Sequence, residues 1–337
     1  SIIANKTASI LGTQHHNIVL SPEECLSSIV PLIDGLDEPL SDPGFLAISQ
    51  VAKFASEYVK VVLSGDGGDE LFYGYPPFYK WNAANKLDNV PSWAHRAIFR
   101  PLIDKLPDQY GYMGLLHKLK IFYRGVGYTK EVRNSRWIGS FMPEEIANLM
   151  VIGNKLESLN REKYGVEEIY RHVINIHKNS NTGNEIQTLG YEYQQSFLPN
   201  IICNHTDKAN MLFSLEARSP LLDKDVARYA NSIPVNWKVN SAKGKYILRE
   251  YLGKRLGTYI SNKGKQGFTV PLALWFKNEL KDYCTDMLSN ESLKKIGLFN
   301  IQYVQKILDD HLNGKSNNYK QIWTLIVLTN WLNNINK

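Results

Sequence analysis

The spacing of apolar residues changes along this chain, and the changes divide it into elements. Ile2, Ile3, Ala8, Ile10 and Leu11 recur at helical spacing and Gly12 is placed to stop that helix. His16–Leu20 reads as a short strand. Ser21-Pro22-Glu23-Glu24 has the form of a helix start, with Ser as N-cap, Pro in the first turn and Glu24 placed for a capping box. After the link DEPLSDPG at 37–44, helical spacing returns through Phe45, Ile48, Val51, Ala52, Ala55 and Tyr58. Val59, Val61, Val62 and Leu63 follow with almost no polar alternation, the pattern of a buried strand. Strand, helix, helix, strand in this order predicts a doubly wound parallel sheet. Beyond about Tyr75 strand signals vanish. Helices are predicted at 185–202, 224–232, 243–256, 271–289, 301–312 and 318–335, and NSNTG at 179–183 reads as a loop.

The strand at 59–63 runs into Ser64-Gly65-Asp66-Gly67-Gly68-Asp69-Glu70, three glycines and three acids in seven residues, and a helix carrying Leu71, Phe72 and Tyr75 is expected to follow. An apolar strand that ends in a glycine turn opening a helix is how parallel sheets build ligand sites at their carboxyl edge. Glycines let a ligand approach the backbone and free N–H groups for an anion. The carboxylates would repel a bare phosphate, so the turn makes chemical sense with Mg²⁺ between them and a polyphosphate. A surface turn is the plainer reading, because Asp and Gly are common turn residues.

Two later stretches carry charge in apolar surroundings. In HTDKANMLFSLEARSPLLD at 205–223, Asp207, Lys208, Glu216, Arg218 and Asp223 punctuate apolar residues. Such charges are paired or face a ligand. An ion pair of Glu216 with Arg218 accounts for part of this equally well, and Asp223 is placed to cap the helix that follows. In 241–271, Lys243, Lys245, Lys263 and Lys265 lie in or beside glycine turns. That is where a lysine clamps phosphate, and also where solvated lysines are common. Gly267-Phe268 before Pro271 predicts a turn feeding a helix whose Trp275 packs inward.

Composition narrows the class. The 337 residues, 43% hydrophobic and 21% charged, suffice for a sizeable core. The net charge of +6 is dispersed, without a polybasic run, which argues against a nucleic-acid partner. Cys25, Cys203 and Cys284 are far apart, so neither a disulfide framework nor a zinc site is expected. The apolar run IWTLIVL at 322–328 is too short to cross a bilayer. A cytoplasmic protein without membrane partners is expected.

Taken in order, LGTQHH, LDEPLSD, VVLSGDGGDELFYGY, DKANMLFSLEARSPLLD, KGKYILRE and NKGKQGFTVPLALWF resemble the synthetase domain of the asparagine synthetase family and its β-lactam synthetase-like relatives. The resemblance spans about residues 11–276. It implies a truncated doubly wound α/β sheet of the adenine-nucleotide alpha-hydrolase-like, PP-loop ATPase type with a large helical portion. Residues 1–75 would be the remaining part of the nucleotide-binding sheet domain and 76–337 the mainly helical remainder of the same synthetase domain.

The implied activity is ATP-dependent amide formation through an acyl-adenylate, with aspartate and ammonia giving asparagine, AMP and pyrophosphate, and with ATP and Mg²⁺ as cofactors. By the same resemblance Ser64 and Gly65 lie against the nucleotide and Asp69 binds Mg²⁺. Lys245 and Lys265 hold the departing pyrophosphate. Asp66 stands where the family more usually carries Glu, at the acyl-adenylate and ammonia step, which leaves the carboxylate substrate open between aspartate and a sugar or peptide acid. Glu216 and Arg218 would support the wall of the site.

The family's Ser-Gly-Gly-x-Asp-Ser pyrophosphate loop has no equivalent in 1–337. A glutaminase domain that would supply ammonia is likewise absent from the chain. The chain is therefore expected to be a fragment inactive alone, with a homodimer among the allowed assemblies and a non-catalytic partner subunit as the alternative.

Overall fold

A computed structural model describes residues 2–108, 110, 114–151, 166–240, 243–264, 267 and 270–335. The protein is a mostly helical α/β structure whose sheet, among the described residues, is a single parallel pair. Strand β1, Val61–Leu63, pairs in parallel with strand β2, Glu216–Arg218, in the register Val61 with Glu216, Val62 with Ala217 and Leu63 with Arg218. The ladder runs one bond further at each end. Glu216 N–H donates to the Lys60 carbonyl (2.9 Å) and Ser64 N–H to the Arg218 carbonyl (2.8 Å). Of the doubly wound sheet expected from the pattern, these two strands are what the described residues contain.

Two expectations for strands are corrected. Residues 16–20 form no strand, and His16 instead packs its ring near Phe54 (6.0 Å between centroids) and Tyr58 (5.6 Å). A lone extended segment has no ladder to satisfy its backbone, whereas an aromatic cluster gives the side chain a partner. The strand at 59–63 is shorter than predicted and not buried: Leu63 is 73% exposed. Apolar composition had implied cover on both faces, and the described residues do not supply it.

Compactness divides the chain differently from secondary-structure content. One unit comprises residues 1–21, 47–82 and 180–268, and the other 22–46, 83–179 and 269–337. In the second, the helix Tyr319–Ile335 is the centre. Its apolar run is buried through Ile322, Trp323, Leu325, Ile326 and Val327, and it packs against Pro22–Asp34, Lys281–Met287, Asn290–Ile296 and Ile301–Leu312. A helix apolar all round is a core helix. Among the described residues no helix is long and apolar enough to cross a membrane.

In the first unit, the helix Gly68–Leu71 gives Leu71 to a cluster with Phe72, Ala230 and Ile233, against which Leu221, Leu222, Ile247 and Leu248 pack. The helix Lys224–Ser232 starts as predicted. Asp223 accepts hydrogen bonds from the N–H groups of Asp225 and Val226, satisfying donors that an uncapped helix leaves open. Residues 185–202 are helical too, but from Tyr193 to Cys203 the turn widens into a π-helix, in which Pro199 cannot donate an ordinary helical bond.

Candidate functional site

The glycine turn does open a helix at the carboxyl end of β1. Gly67 takes φ +84° immediately before the helix Gly68–Leu71, a left-handed conformation that carries almost no penalty for glycine. A Cβ at Gly67 would also lie 2.2 Å from the Leu222 side chain, so a larger residue there would have to push Leu222 aside. The turn is tied to β2 by side chains as well as backbone. The Ser64 hydroxyl donates to Asp66 Oδ2 (2.9 Å), and Ser64 and Ser219 share a hydroxyl bond of 2.7 Å. Since Ser64 has one proton and gives it to Asp66, Ser219 is the donor in the second bond.

Three residues beyond Asp66, Asp69 meets Lys245. The ammonium lies 3.0 Å from Asp69 Oδ1, with both side chains partly buried. Lys245 is held in a left-handed conformation, φ +55°, at the start of the helix Tyr246–Leu256, and its N–H donates to the Phe72 carbonyl (3.0 Å). Gly74 makes the approach feasible. A Cβ there would lie 1.9 Å from Asp69 Oδ1 and 2.5 Å from Lys245 Cε. The Gly74 N–H bonds back to the Asp69 carbonyl at 2.8 Å, closing the turn around the carboxylate.

Behind Asp69, Glu70 is fully buried and accepts the Tyr75 hydroxyl at 2.6 Å. Burial raises its carboxyl pKa, and the Asp69 charge adds to this, whereas the tyrosine bond and Lys245 pull it back. The same burial, with Glu70 beside it, pushes the Tyr75 phenol far up. Tyr75 stacks on Tyr193 (4.9 Å) and meets Phe197 edge-on (5.5 Å), so the π-helical segment walls the carboxylate pair. Cys203, at the end of that segment, has its thiol pKa raised by burial and then by Asp66 and Glu70.

Of the residues named from sequence, Ser64, Gly65 and Asp66 lie together at the end of β1, and Asp69 with Lys245 forms the adjoining ion pair. Lys265 lies outside the described residues. Glu216 and Arg218 bond to one another at 2.8 Å on exposed β2, the plain ion pair that the sequence allowed. Lys243 donates to Asn262 (3.2 Å).

Sequence reasoning missed Ser219, whose role depends on strand pairing, and Arg249. Arg249 donates to the Gly244 carbonyl (2.8 Å) and to the carbonyls of Ser261 (3.1 Å) and Lys263 (2.6 Å). It thereby ties the glycine turn before Lys245 to the segment leading toward Lys265. Three backbone acceptors on one guanidinium is a use that only the fold reveals.

The donor set at this turn fits Mg²⁺. Among the described residues no group of three His, Cys, Asp or Glu forms a cage for a metal. Mg²⁺ does not require one, because it takes one or two carboxylates and completes its shell with water and substrate phosphates. Asp66 and Asp69 bring two carboxylates to one glycine turn, a donor set of that size.

The asparagine synthase family model matches residues 1–333. Asparagine synthetase (glutamine-hydrolyzing) 1 of Bacillus subtilis is 28% identical over 330 residues, covering 98% of this chain and 49% of that protein. A putative asparagine synthetase (glutamine-hydrolyzing) of Mycobacterium bovis is 26% identical over 333 residues, with 98% and 48% covered. The amidase chry2 of Gibberella zeae is 26% identical over 333 residues, with 93% and 47% covered. The chain spans about half the length of the curated relatives it matches. With the family model matched almost from end to end, this chain belongs to the asparagine synthase family.

Proposed function

We propose that this chain carries the amide-forming half of an ATP-dependent ligase of the asparagine synthetase type, within a PP-loop ATPase-like α/β domain. The reaction joins aspartate to ammonia derived from glutamine, through an acyl-adenylate, and yields asparagine, AMP and pyrophosphate. The observation that carries this reading is the Asp69–Lys245 pair at 3.0 Å in a glycine turn at the carboxyl end of a parallel strand. Opposite charges held side by side at such an edge suit a metal–polyphosphate, which carries both signs.

In this reading Ser64 and Gly65 lie against the nucleotide, with Ser64 oriented by Asp66 and Ser219. Lys245 counters the negative charge that grows on the departing pyrophosphate, together with Lys265. Fixed charges of this kind need no reorganisation during reaction, which is the source of their catalytic value. Asp69 would hold Mg²⁺, which when bound neutralises phosphate charge. Asp66, whose carboxylate is engaged by Ser64, takes part where ammonia meets the activated carboxylate. Glu70 and Tyr75 form the dry floor that keeps Asp69 in place.

The test is isotope exchange between pyrophosphate and ATP in the complete natural polypeptide, with and without aspartate. Aspartate-dependent exchange is expected. No exchange with any carboxylate would sink the ligase reading. Residues 1–337 alone are expected to exchange nothing, since they lack the Ser-Gly-Gly-x-Asp-Ser turn.

One observation favours a second acceptor. Relatives named amidases match as much of the chain as a 26% identical synthetase does, within a few per cent, and Asp66 is shorter than the family's usual Glu. Exchange that responds to a sugar or peptide acid and ignores aspartate would establish that alternative.

A further inference from the structure

Tyr73 lies between Phe72, whose carbonyl anchors the Lys245 backbone, and Gly74, which packs against the Asp69 carboxylate. It is buried and held at φ +59°, one of three residues other than glycine with positive φ among the described residues. A bulky aromatic residue is strained in that region and persists there only when surrounding contacts over-determine it. Those contacts are present on every side of its ring. Phe78 stacks on one face at 4.4 Å with the planes 6° apart. The helix Glu185–Glu192 presents Gly190 at the ring edge, where a Cβ would lie 2.5 Å from Tyr73 Cε1 and 2.6 Å from its hydroxyl. Gly244 admits the Tyr73 carbonyl, which a Cβ would meet at 2.0 Å.

The remaining contact is the unexpected one. Lys238, at the end of the helix Val235–Lys238, is 1% exposed, and its ammonium sits 4.4 Å from the centre of the Tyr73 ring. With Phe78 parallel on one face, the ammonium takes the other. Among the described residues it makes no ion pair, and its polar contact is this π face. A lysine buried without a carboxylate is expensive, and burial lowers its pKa to about 8. An apolar residue of the same length would fill the space without that penalty, so the charge itself calls for a reason.

We propose that Lys238 is a positioning residue. Its ammonium clamps Tyr73 in the left-handed conformation and thereby sets the Asp69–Gly74 turn against Lys245. The clamp acts through one side chain on two backbone bonds, Gly74 N–H to Asp69 and Lys245 N–H to Phe72. Its consequence for catalysis rests on the ligase reading above; its consequence for the turn does not.

The experiment uses the complete natural polypeptide and reads amide hydrogen exchange across 69–75 and at 245–249. K238M keeps length and volume and removes the charge. It is expected to speed exchange in these segments roughly tenfold, the fold-change that a desolvated cation–π contact supports, while leaving the helices Ile301–Leu312 and Tyr319–Ile335 unchanged. K238R is expected to restore protection. Y73G relieves the backbone strain and deletes the ring, so adding K238M to it is expected to change nothing further.

Unchanged exchange at 69–75 in folded K238M would overturn the proposal, as would additive effects of K238M and Y73G. A parallel readout is the KM for ATP against kcat of pyrophosphate exchange, where K238M is expected to raise KM more than it lowers kcat. Wild-type protein that shows no pyrophosphate exchange, yet loosens at 69–75 on K238M, would discard the ligase reading and keep the clamp.

Discussion

Each compact unit buries charge, and the two do it differently. Around Arg133 and Arg136 every guanidinium is occupied. Arg133 donates to both Asp88 oxygens (2.6 and 2.7 Å), to Asn85 (2.6 Å) and to the Gly125 carbonyl (3.4 Å). Arg136 donates to Glu144 and to the Arg124 carbonyl and lies 3.5 Å over the Tyr128 ring. Around the glycine turn the cations are held more sparsely. Among the described residues Lys245 has one ion pair, and Lys238 has a ring. Charge that is saturated by its own protein is costly to break, because removing one partner strands the other. Lys245, with one ion pair, keeps ammonium donors that an anionic ligand can use.

Substitutions can break this contrast. The largest expected effect is on chemistry. D69N keeps the shape of the side chain and removes its charge, and is expected to slow aspartate-dependent pyrophosphate exchange roughly 100- to 1,000-fold, with the unfolding midpoint nearly unmoved. R133M should do the reverse. Removing one partner of a buried pair costs roughly 3 kcal/mol, at the lower end of the usual range because Asp88 keeps some contact with water. Denaturant unfolding measures it, and activity per folded molecule should persist. A large loss of stability in D69N, or of exchange in R133M, would erase the distinction.

A pH experiment sharpens it next. His311 is fully buried, donates Nε2–H to the Ala273 carbonyl (3.1 Å) and accepts the Asn318 N–H on Nδ1 (3.1 Å), so the neutral ring is the satisfied one. Burial lowers its pKa from 6.5 to about 4. The unfolded chain therefore binds the proton first, and stability is expected to fall as pH drops from about 6.5 to about 4, by up to about 3 kcal/mol. H311Q should flatten that slope in a pH series of unfolding midpoints.

Glu70 is expected to give the smallest effect and the opposite sign. Its raised pKa means that the folded state holds the proton more tightly, so its contribution is lost as pH rises through the folded pKa. E70Q, which keeps the bond to Tyr75, is expected to change stability at pH 7 by less than about 1 kcal/mol. A large destabilisation would mean that the ionised carboxylate is the native form.

Much of this was legible in the sequence where the cause is local. The helices at 224–232 and 301–312 fall where apolar spacing and caps put them. The predicted helix 271–289 is broken into Leu272–Trp275 and Lys281–Met287, with Trp275 turned inward as expected. Asp69 and Lys245 were both named, though nothing in the sequence said they touch. What stayed hidden depends on partners far along the chain. Strand β2 is Glu-Ala-Arg, with no apolar run to mark it, and it is a strand because β1 lies beside it. The strain at Tyr73 and the buried Lys238 are invisible for the same reason, since a lysine in VNWKVN reads as surface until the ring above it is seen.

The bond between Ser64 and Ser219 crosses 155 positions of sequence, and this sets an order of events for a chain being made. The flanking helices can coil as they emerge, at little entropic expense. The end of β1 cannot be tied to Ser219 until the ribosome has passed that residue and a very long loop has been pinched shut. The finished turn therefore arrives late in biogenesis, and a nascent chain stalled anywhere before that point would hold its acidic residues open to solvent.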